Sequence, residues 1–86
     1  MEILKLLNNG SKQLKDKRVH SHKLDSEILL SKVLKKTREE LIISLKQKIA
    51  PQEISDFKTL IERRSSKEPI AYILKEKEFW SKSFLV

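Results

Sequence analysis

The scarcity of turn-forming residues is the feature that most constrains how this chain can fold. One glycine and two prolines occur among its 86 residues, and these are the residue types that most favour tight turns. Apolar residues instead recur every three or four positions, which is typical of a helix with one buried face. Because the chain has no cysteine, no disulfide can stabilise so small a domain. We therefore predict a single all-α domain in which short links join the helices.

The first two helices are predicted from their apolar residues. The first covers residues 2–15 and has Gly10 in its interior, at a helix-propensity cost of up to ~1 kcal/mol against alanine. The second begins after Ser21, a residue type that often caps a helix. Its apolar residues cover much of its circumference, which indicates burial against several neighbours. We therefore expect the second helix to lie at the centre of the core.

Two further helices and a short fifth complete the predicted bundle. Thr37 and Glu40 have the spacing of a capping box, so a short third helix is predicted after Thr37. Pro51 opens the fourth helix and Pro69 the fifth, since proline is well tolerated at a first helical position. The predicted core consists of Leu7, Leu24, Ile28, Leu30, Val33, Leu34, Leu41, Ile42, Phe57, Leu60, Ile61, Ile70 and Ile73.

Residues 75–86 differ in character from the helical region. The segments 78–80 and 83–86 are rich in aromatic and branched residues, which favours extended structure and predicts the start of a β extension or hairpin. The last apolar run stops in mid-pattern at Val86, so we expect the natural chain to continue into another domain. The predicted organisation is a helical domain over residues 1–74 and a junction over residues 75–86.

The formal charge of +7, from 19 Lys and Arg against 12 Asp and Glu, would attract an acidic partner or nucleic acid. The lysines are dispersed and no aromatic residues interleave with them, so we interpret most of them as solvated helix faces. No apolar run approaches the ~20 residues of a membrane span, and a signal-peptide pattern is absent from the amino terminus. We expect a cytoplasmic, monomeric protein with no membrane association.

Four acidic or imidazole side chains near the second helix were considered as a site. His20 and His22 are two residues apart and share no helix face, so we interpret them as a surface turn rather than as metal ligands. Asp25 and Glu27 lie in the early turns of the helix, where its dipole favours acids. We therefore predict no metal site and no acid–base pair at this position.

The remaining candidates for chemistry have structural interpretations too. Arg63 and Arg64 could grip phosphate or carboxylate, but a solvated helix end is the preferred interpretation. The segment 35–38 could touch a nucleic-acid backbone, or simply connect two helices. Trp80 could be a stacking platform, or pack between domains. With a single glycine there is no phosphate-binding loop, and no nucleophile–base constellation occurs. We predict no catalytic, cofactor-binding or metal residue in this chain.

The carboxyl-terminal stretch nevertheless resembles a known family. Residues 68–74 read EPIAYIL and are followed, after three residues, by EFW at 78–80 and FLV at 84–86. This pattern is similar to "GEPIAYILGxxEFW", the junction motif of the release-factor glutamine methyltransferases, the PrmC/HemK family. LDSEILL at 24–30 and LIERR at 60–64 resemble that family's "DAELLL" and "LLxRR" segments. The resemblance implies that an interdomain junction is formed by Glu68, Pro69, Tyr72, Glu78, Phe79 and Trp80.

The resemblance also implies a function for the parent protein. Members of this family transfer a methyl group from S-adenosylmethionine to the side-chain nitrogen of the glutamine in the Gly-Gly-Gln loop of class I peptide chain release factors. The cofactor and catalytic motifs of the family lie beyond the junction, so none of their residues can be carried over. This chain would be the amino-terminal substrate-binding domain, with release factors and its own catalytic domain as partners. Some members also carry a fused tRNA methyltransferase domain, and the residues of this chain neither support nor exclude one.

Two departures from the family pattern concern helix ends. Lysine stands at positions 67 and 75, where the family usually has glycine. Glycine is favoured just past a helix end because it adopts the left-handed conformation without penalty. We expect Lys67 either to be strained or to end its helix differently.

Two other functions remain open from the sequence. The charge and the basic connections suit a nucleic-acid-binding helical module, which would bind in a steeply salt-dependent way. No recognisable helix-turn-helix recognition helix supports it. Alternatively, the domain could be a purely structural cap on the catalytic domain and bind no ligand.

Overall fold

The computed structural model describes residues 1–74, and the predicted all-α fold is confirmed there. Four helices follow one another along the chain: α1 spans Ile3–Asp16, α2 His22–Leu34, α3 Arg38–Ile43 and α4 Pro51–Ser65. A helical turn over residues 70–74 is the predicted short fifth helix. Strand pairing within the described residues is limited to an isolated bridge between Glu2 and Lys48. The predicted β extension over 75–86 lies outside the described residues.

The central position predicted for the second helix is correct, because α2 packs against α1, α3 and α4. Eight members of the predicted core are buried: Leu7, Leu30, Val33, Leu41, Phe57, Leu60, Ile61 and Ile73. Ile28, Leu34 and Ile70 are only partly buried. Leu24 and Ile42 were wrongly placed in the core, since they are 41% and 58% exposed. The prediction omitted Ile3, Leu6, Leu14, Val19, Leu29 and Ile49, which are buried.

The error at Leu24 follows from which face of α2 is turned inward. The buried face carries Asp25 and Ser26, together with Leu29, Leu30 and Val33. The Ser26 hydroxyl donates a hydrogen bond to the backbone carbonyl of Leu7 at 2.9 Å, which satisfies a buried polar group. The opposite face, with Leu24, is left towards solvent.

Gly10 lies where α1 passes closest to its neighbours. A Cβ atom built on Gly10 would lie 2.7 Å from Cζ of Phe57 and 2.9 Å from Oγ of Ser26. Both of those residues are 1% exposed, so neither side chain can swing away into solvent. The absence of a side chain at position 10 therefore permits the contact of α1 with α2 and α4.

The predicted starts of the third and fourth helices are confirmed. The Thr37 hydroxyl accepts a hydrogen bond from the Glu40 N–H at 3.1 Å, and the Glu40 carboxylate accepts one from the Thr37 N–H at 2.8 Å. These two bonds form the capping box of α3. Pro51 occupies the first turn of α4, and the Glu53 carboxylate accepts a hydrogen bond from the Ala50 N–H at 3.2 Å.

The capping box gives α3 a pH-dependent start. Hydrogen bonds from the Thr37 N–H and hydroxyl hold the pKa of Glu40 below its usual value of 4.5. A carboxylate with a lowered folded pKa stabilises the fold above its unfolded pKa, and this contribution is lost as the pH falls through the folded pKa. The stabilising effect of the Glu40 charge is therefore present at neutral pH and lost in acid.

Replacing Glu40 with glutamine is expected to lower the free energy of unfolding at neutral pH, because the amide keeps an acceptor but loses the charge. The difference from the parent chain should be constant above about pH 5 and shrink below about pH 4. Urea unfolding across that range measures it. Glu39→Gln is the matched control, because it makes the same charge change outside the capping box. A Glu40→Gln difference that did not change with pH would contradict the assignment.

The lengths of the helices bear on membrane association. The longest of the four helices, α4, has 15 residues, whereas a membrane span needs about 20. None of the helices within residues 1–74 combines the length and apolar character needed to cross a bilayer.

Candidate functional site at the domain junction

The predicted junction residues meet the rest of the bundle at one of its ends. The start of α2, the end of α4 and the segment 66–74 come together there through hydrogen bonds that involve Asp25, Arg64 and Glu68. Glu68, Pro69 and Tyr72 of the predicted junction are described by the structure. Glu78, Phe79 and Trp80 lie outside the described residues, and so does Lys75.

A buried ion pair joins α2 to α4. Asp25 is 3% exposed, and its Oδ2 accepts a hydrogen bond from Nε of Arg64 at 2.8 Å. The hydroxyl of Ser21 donates to the same oxygen, also at 2.8 Å. Ser21 therefore occupies the predicted cap position, but its side chain binds Asp25 and makes no backbone cap bond. Asp25 thus lies in the first turn of α2, as predicted, but it is buried in the core and paired with Arg64.

The two arginines at the end of α4 are both engaged, so the predicted solvated helix end was wrong. Arg64 donates from Nη1 to the backbone carbonyl of Glu68 at 2.9 Å. The Arg63 guanidinium forms an ion pair with the Glu68 carboxylate. The carboxylates that these arginines bind, those of Asp25 and Glu68, belong to this same chain. Together the bonds hold both the backbone and the side chain of Glu68 against the end of α4.

The helical turn after Glu68 is attached through one face. The Pro69 carbonyl accepts hydrogen bonds from the N–H groups of Tyr72 and Ile73, each at 3.1 Å. The side chain of Ile73 is fully buried, whereas that of Tyr72 is 64% exposed. Ile70 and Leu74 pack against the core from the same turn. The turn is thereby fixed on the bundle with Tyr72 facing outward.

Lys67 adopts the left-handed conformation that the family's usual glycine would favour. Its φ is 73°, and its ammonium group donates to the backbone carbonyl of Lys17. Arg18 and Lys35 also have positive φ, at 64° and 57°. Left-handed backbone at a residue with a Cβ costs roughly 1–2 kcal/mol. The chain therefore carries backbone strain at the residue that leads into the junction.

Replacing Lys67 with glycine is expected to stabilise the fold by about 1 kcal/mol, because glycine removes the Cβ strain. For a domain of this size, that change raises the melting temperature by roughly 4–8 °C. Thermal unfolding followed by circular dichroism measures the shift. Lys67→Ala is the control: it removes the same charge and hydrogen bond but keeps the Cβ, so it should bring no gain. An equal rise in both variants would attribute the effect to the lysine side chain and not to the backbone.

The junction arrangement positions the chain and offers no reactive group. Within residues 1–74, each buried side-chain nitrogen or oxygen has a hydrogen-bond partner. No group of three or more His, Cys, Asp or Glu side chains in that region could hold a metal ion. His22 was wrongly assigned to a surface turn: it is the half-buried first residue of α2, and its Nδ1 lies 2.8 Å from Oγ of Ser11. What the geometry does is hold residues 68–74 against the end of the bundle.

The ion pair at the centre of the junction was not predicted from the sequence. Asp25 and Arg64 are 39 residues apart, so no local spacing relates them. One signal was available, since Asp25, Leu29 and Val33 recur every four residues and share a helix face. An acid on a buried face requires a cationic partner.

The chain has counterparts among known proteins along its whole length. A family model described as the PrmC N-terminal domain matches residues 5–74. The release factor glutamine methyltransferase of Buchnera aphidicola subsp. Baizongia pistaciae is 44% identical over 86 residues, which are 100% of this chain and 31% of that protein. The bifunctional methyltransferase of Rickettsia typhi is 40% identical over 84 residues, which are 98% of this chain and 16% of that protein. This chain thus spans less than a third of either relative. No solved structure matches it.

Proposed function

Because this chain belongs to the PrmC N-terminal domain family, we propose that it is the substrate-binding domain of an S-adenosylmethionine-dependent methyltransferase. The proposed enzyme methylates the side-chain nitrogen N5 of the glutamine in the Gly-Gly-Gln loop of class I peptide chain release factors. It acts in the cytoplasm as a monomer. The observation that carries the proposal is 44% identity, over the whole chain, to a protein named release factor glutamine methyltransferase.

In this proposal the two parts of the chain have different tasks. Residues 1–74 hold the release factor, and residues 75–86 lead into a catalytic domain. The described residues do not fit S-adenosylmethionine, because the single glycine packs against Phe57 and Ser26 and forms no open loop for a cofactor. Methyl transfer is therefore assigned to the catalytic domain, and substrate positioning to this one.

The geometry of the junction supports this division. A domain that presents a protein substrate to a separate active site must be held in a fixed orientation, since small misplacements cost much of the rate. The bonds of Arg63 and Arg64 to Glu68 fix the exit path on the bundle. Tyr72, which is exposed beside them, is available to contact the catalytic domain.

The structural cap is the second candidate, because the same fixed junction would serve it equally well.

The basic connection at 35–38, which suggested nucleic acid, has local roles instead. Lys35 ends α2 in a left-handed conformation, Lys36 donates to Gln47 at 3.2 Å, and Arg38 pairs with Glu27 at 3.0 Å. These contacts favour a helix connection over a phosphate-binding site.

A chimeric enzyme separates substrate binding from a structural cap. Residues 1–74 would replace the matching segment of the Buchnera enzyme, and a second variant would lack that segment. Methylation is measured on an intact release factor and on a short Gly-Gly-Gln peptide. We expect the deletion to raise KM for the release factor by about tenfold or more, because binding energy is lost. The chimera should restore that KM.

The peptide is the control for an intact catalytic domain. It should be methylated with the same kcat by all the variants, since it is too short to reach the helical domain. If the deletion leaves KM for the release factor unchanged, substrate binding is contradicted. If it abolishes kcat on the peptide as well, the domain is a structural cap.

A further inference from the structure

A groove lies between α1 and α3, away from the junction contacts. It is lined by Leu4, Leu7, Asn8, Ser11, Ile42 and Leu45. Lys23 and Glu27 of α2 complete its lining. None of these residues contributes to the Asp25–Arg64–Glu68 contacts, so the groove is separate from the junction described above. We call it the α1–α3 groove.

Large apolar side chains are exposed at the α1–α3 groove. Leu4 is 44% exposed and Ile42 is 58% exposed. Ile43, the next residue of the same short helix, does not line the groove but is 82% exposed beside it. Single exposed apolar residues are common on protein surfaces, but several beside one groove indicate an interaction site. Leu41 already attaches α3 to the core, so the two isoleucines are not needed for that attachment.

The charges around the α1–α3 groove are predominantly positive. Lys5 precedes Asn8 by three residues, and Lys12 follows it by four, so both lie on the exposed edge of α1 beside the groove. Lys15 follows Ser11 by four residues and therefore lies on the same edge of α1. The groove's own acid, Glu27, is neutralised by Arg38 at 3.0 Å. A partner that meets this edge gains from carrying negative charge.

We propose that the α1–α3 groove docks an acidic amphipathic segment of the release factor, an inference that rests on the proposed function. Apolar side chains of the segment would cover Leu4 and Ile42, and its carboxylates would face the lysines of α1. The combination selects a protein segment over nucleic acid, because phosphates would pair with the lysines but leave Leu4 and Ile42 in water.

The test measures binding of the 86-residue chain to a class I release factor by fluorescence anisotropy in ~150 mM salt, where distant charges are screened. The double variant Leu4→Ser with Ile42→Ser should weaken binding by about tenfold or more, as expected for central apolar contacts. Leu24→Ser is its control, because Leu24 is 41% exposed but does not line the groove. Since the substituted side chains are exposed, the variants should keep the parent's circular dichroism spectrum.

A second pair of variants tests the charge. Lys12→Glu should weaken binding by roughly threefold to tenfold and make it less sensitive to salt. Lys58→Glu changes the net charge equally at an exposed lysine of α4, and should leave binding within about twofold of the parent chain.

Each possible outcome bears on a different claim. If the release factor binds and the groove variants bind as well as their controls, the groove assignment is overturned and the proposed function stands. If the release factor does not bind at all, the proposed function and the docking inference are both overturned. If phosphatidylserine vesicles or polyuridylic acid bind equally well and are affected by the same variants, the groove is a general anion surface and the inference of an acidic protein segment is overturned.

Discussion

Replacing Arg64 with alanine is expected to lower the free energy of unfolding by about 3 kcal/mol, because it leaves a buried carboxylate without its cation. Asp25 is 3% exposed and would still accept the hydrogen bond from the Ser21 hydroxyl. The same substitution removes the hydrogen bond to the Glu68 carbonyl. Urea unfolding of the variant measures the loss, which is a large part of the stability of a small domain.

Two further variants identify the cause of that loss. Arg38→Ala removes another arginine–carboxylate pair of similar length, but Arg38 is 49% exposed, so it should cost no more than about 1 kcal/mol. The double variant Asp25→Leu with Arg64→Met removes both charges and should recover much of the stability. Equal losses for Arg64→Ala and Arg38→Ala would contradict the buried-charge explanation.

Replacing Gly10 with alanine is expected to destabilise the chain by up to about 2 kcal/mol, although alanine normally stabilises a helix interior by about 1 kcal/mol. The added methyl group would lie 2.7 Å from the Phe57 ring, and overpacking of this kind typically costs about 1–3 kcal/mol. Thermal or urea unfolding gives the sign directly.

Asn9→Ala is the control for helix propensity, because Asn9 is the exposed neighbour of Gly10 on the same helix. It should be neutral or slightly stabilising, by a few tenths of a kcal/mol. A stabilising Gly10→Ala would mean that α1 can move away from Phe57 without loss, and the close approach of the helices would not be required.

The parts of the fold that were predicted correctly depend on neighbours in sequence. The capping box of α3 needs Thr37 and Glu40, three residues apart, and α4 begins at Pro51, which has no N–H to satisfy. The left-handed state of Lys67, one of the two alternatives that the sequence left open, is also a local property. Such features can be predicted from short spacings because the atoms that stabilise them are close along the chain.

The parts that were missed depend on residues far apart in sequence. The apolar residues of α2 cover much of its own circumference, so their periodicity does not show which face of the helix is buried. That face is instead determined by the Leu7 carbonyl, which accepts from Ser26, and by Arg64, which pairs with Asp25. Asp25 and Ser26 are buried, and Leu24 is exposed, because the groups that pair with Asp25 and Ser26 lie on other helices.

The segment 68–74 also combines a local feature that was predicted with contacts to other residues that were not. The motif at 68–74 predicted a short helical turn after Pro69, and the turn with its buried Ile73 is observed. Its attachment through Arg63 and Arg64 was not predicted, since a basic helix end is usually solvated. The α1–α3 groove was also missed, because Ile42 had been placed in the core.

The most direct test of the release-factor-binding function is an NMR titration of the ¹⁵N-labelled 86-residue chain with a class I release factor in ~150 mM salt. We predict shifts in a contiguous set of amides on α1 and α3, around the exposed Leu4, Ile42 and Ile43. The absence of shifts, or shifts that any polyanion reproduces at the same salt concentration, would contradict release-factor recognition by this domain.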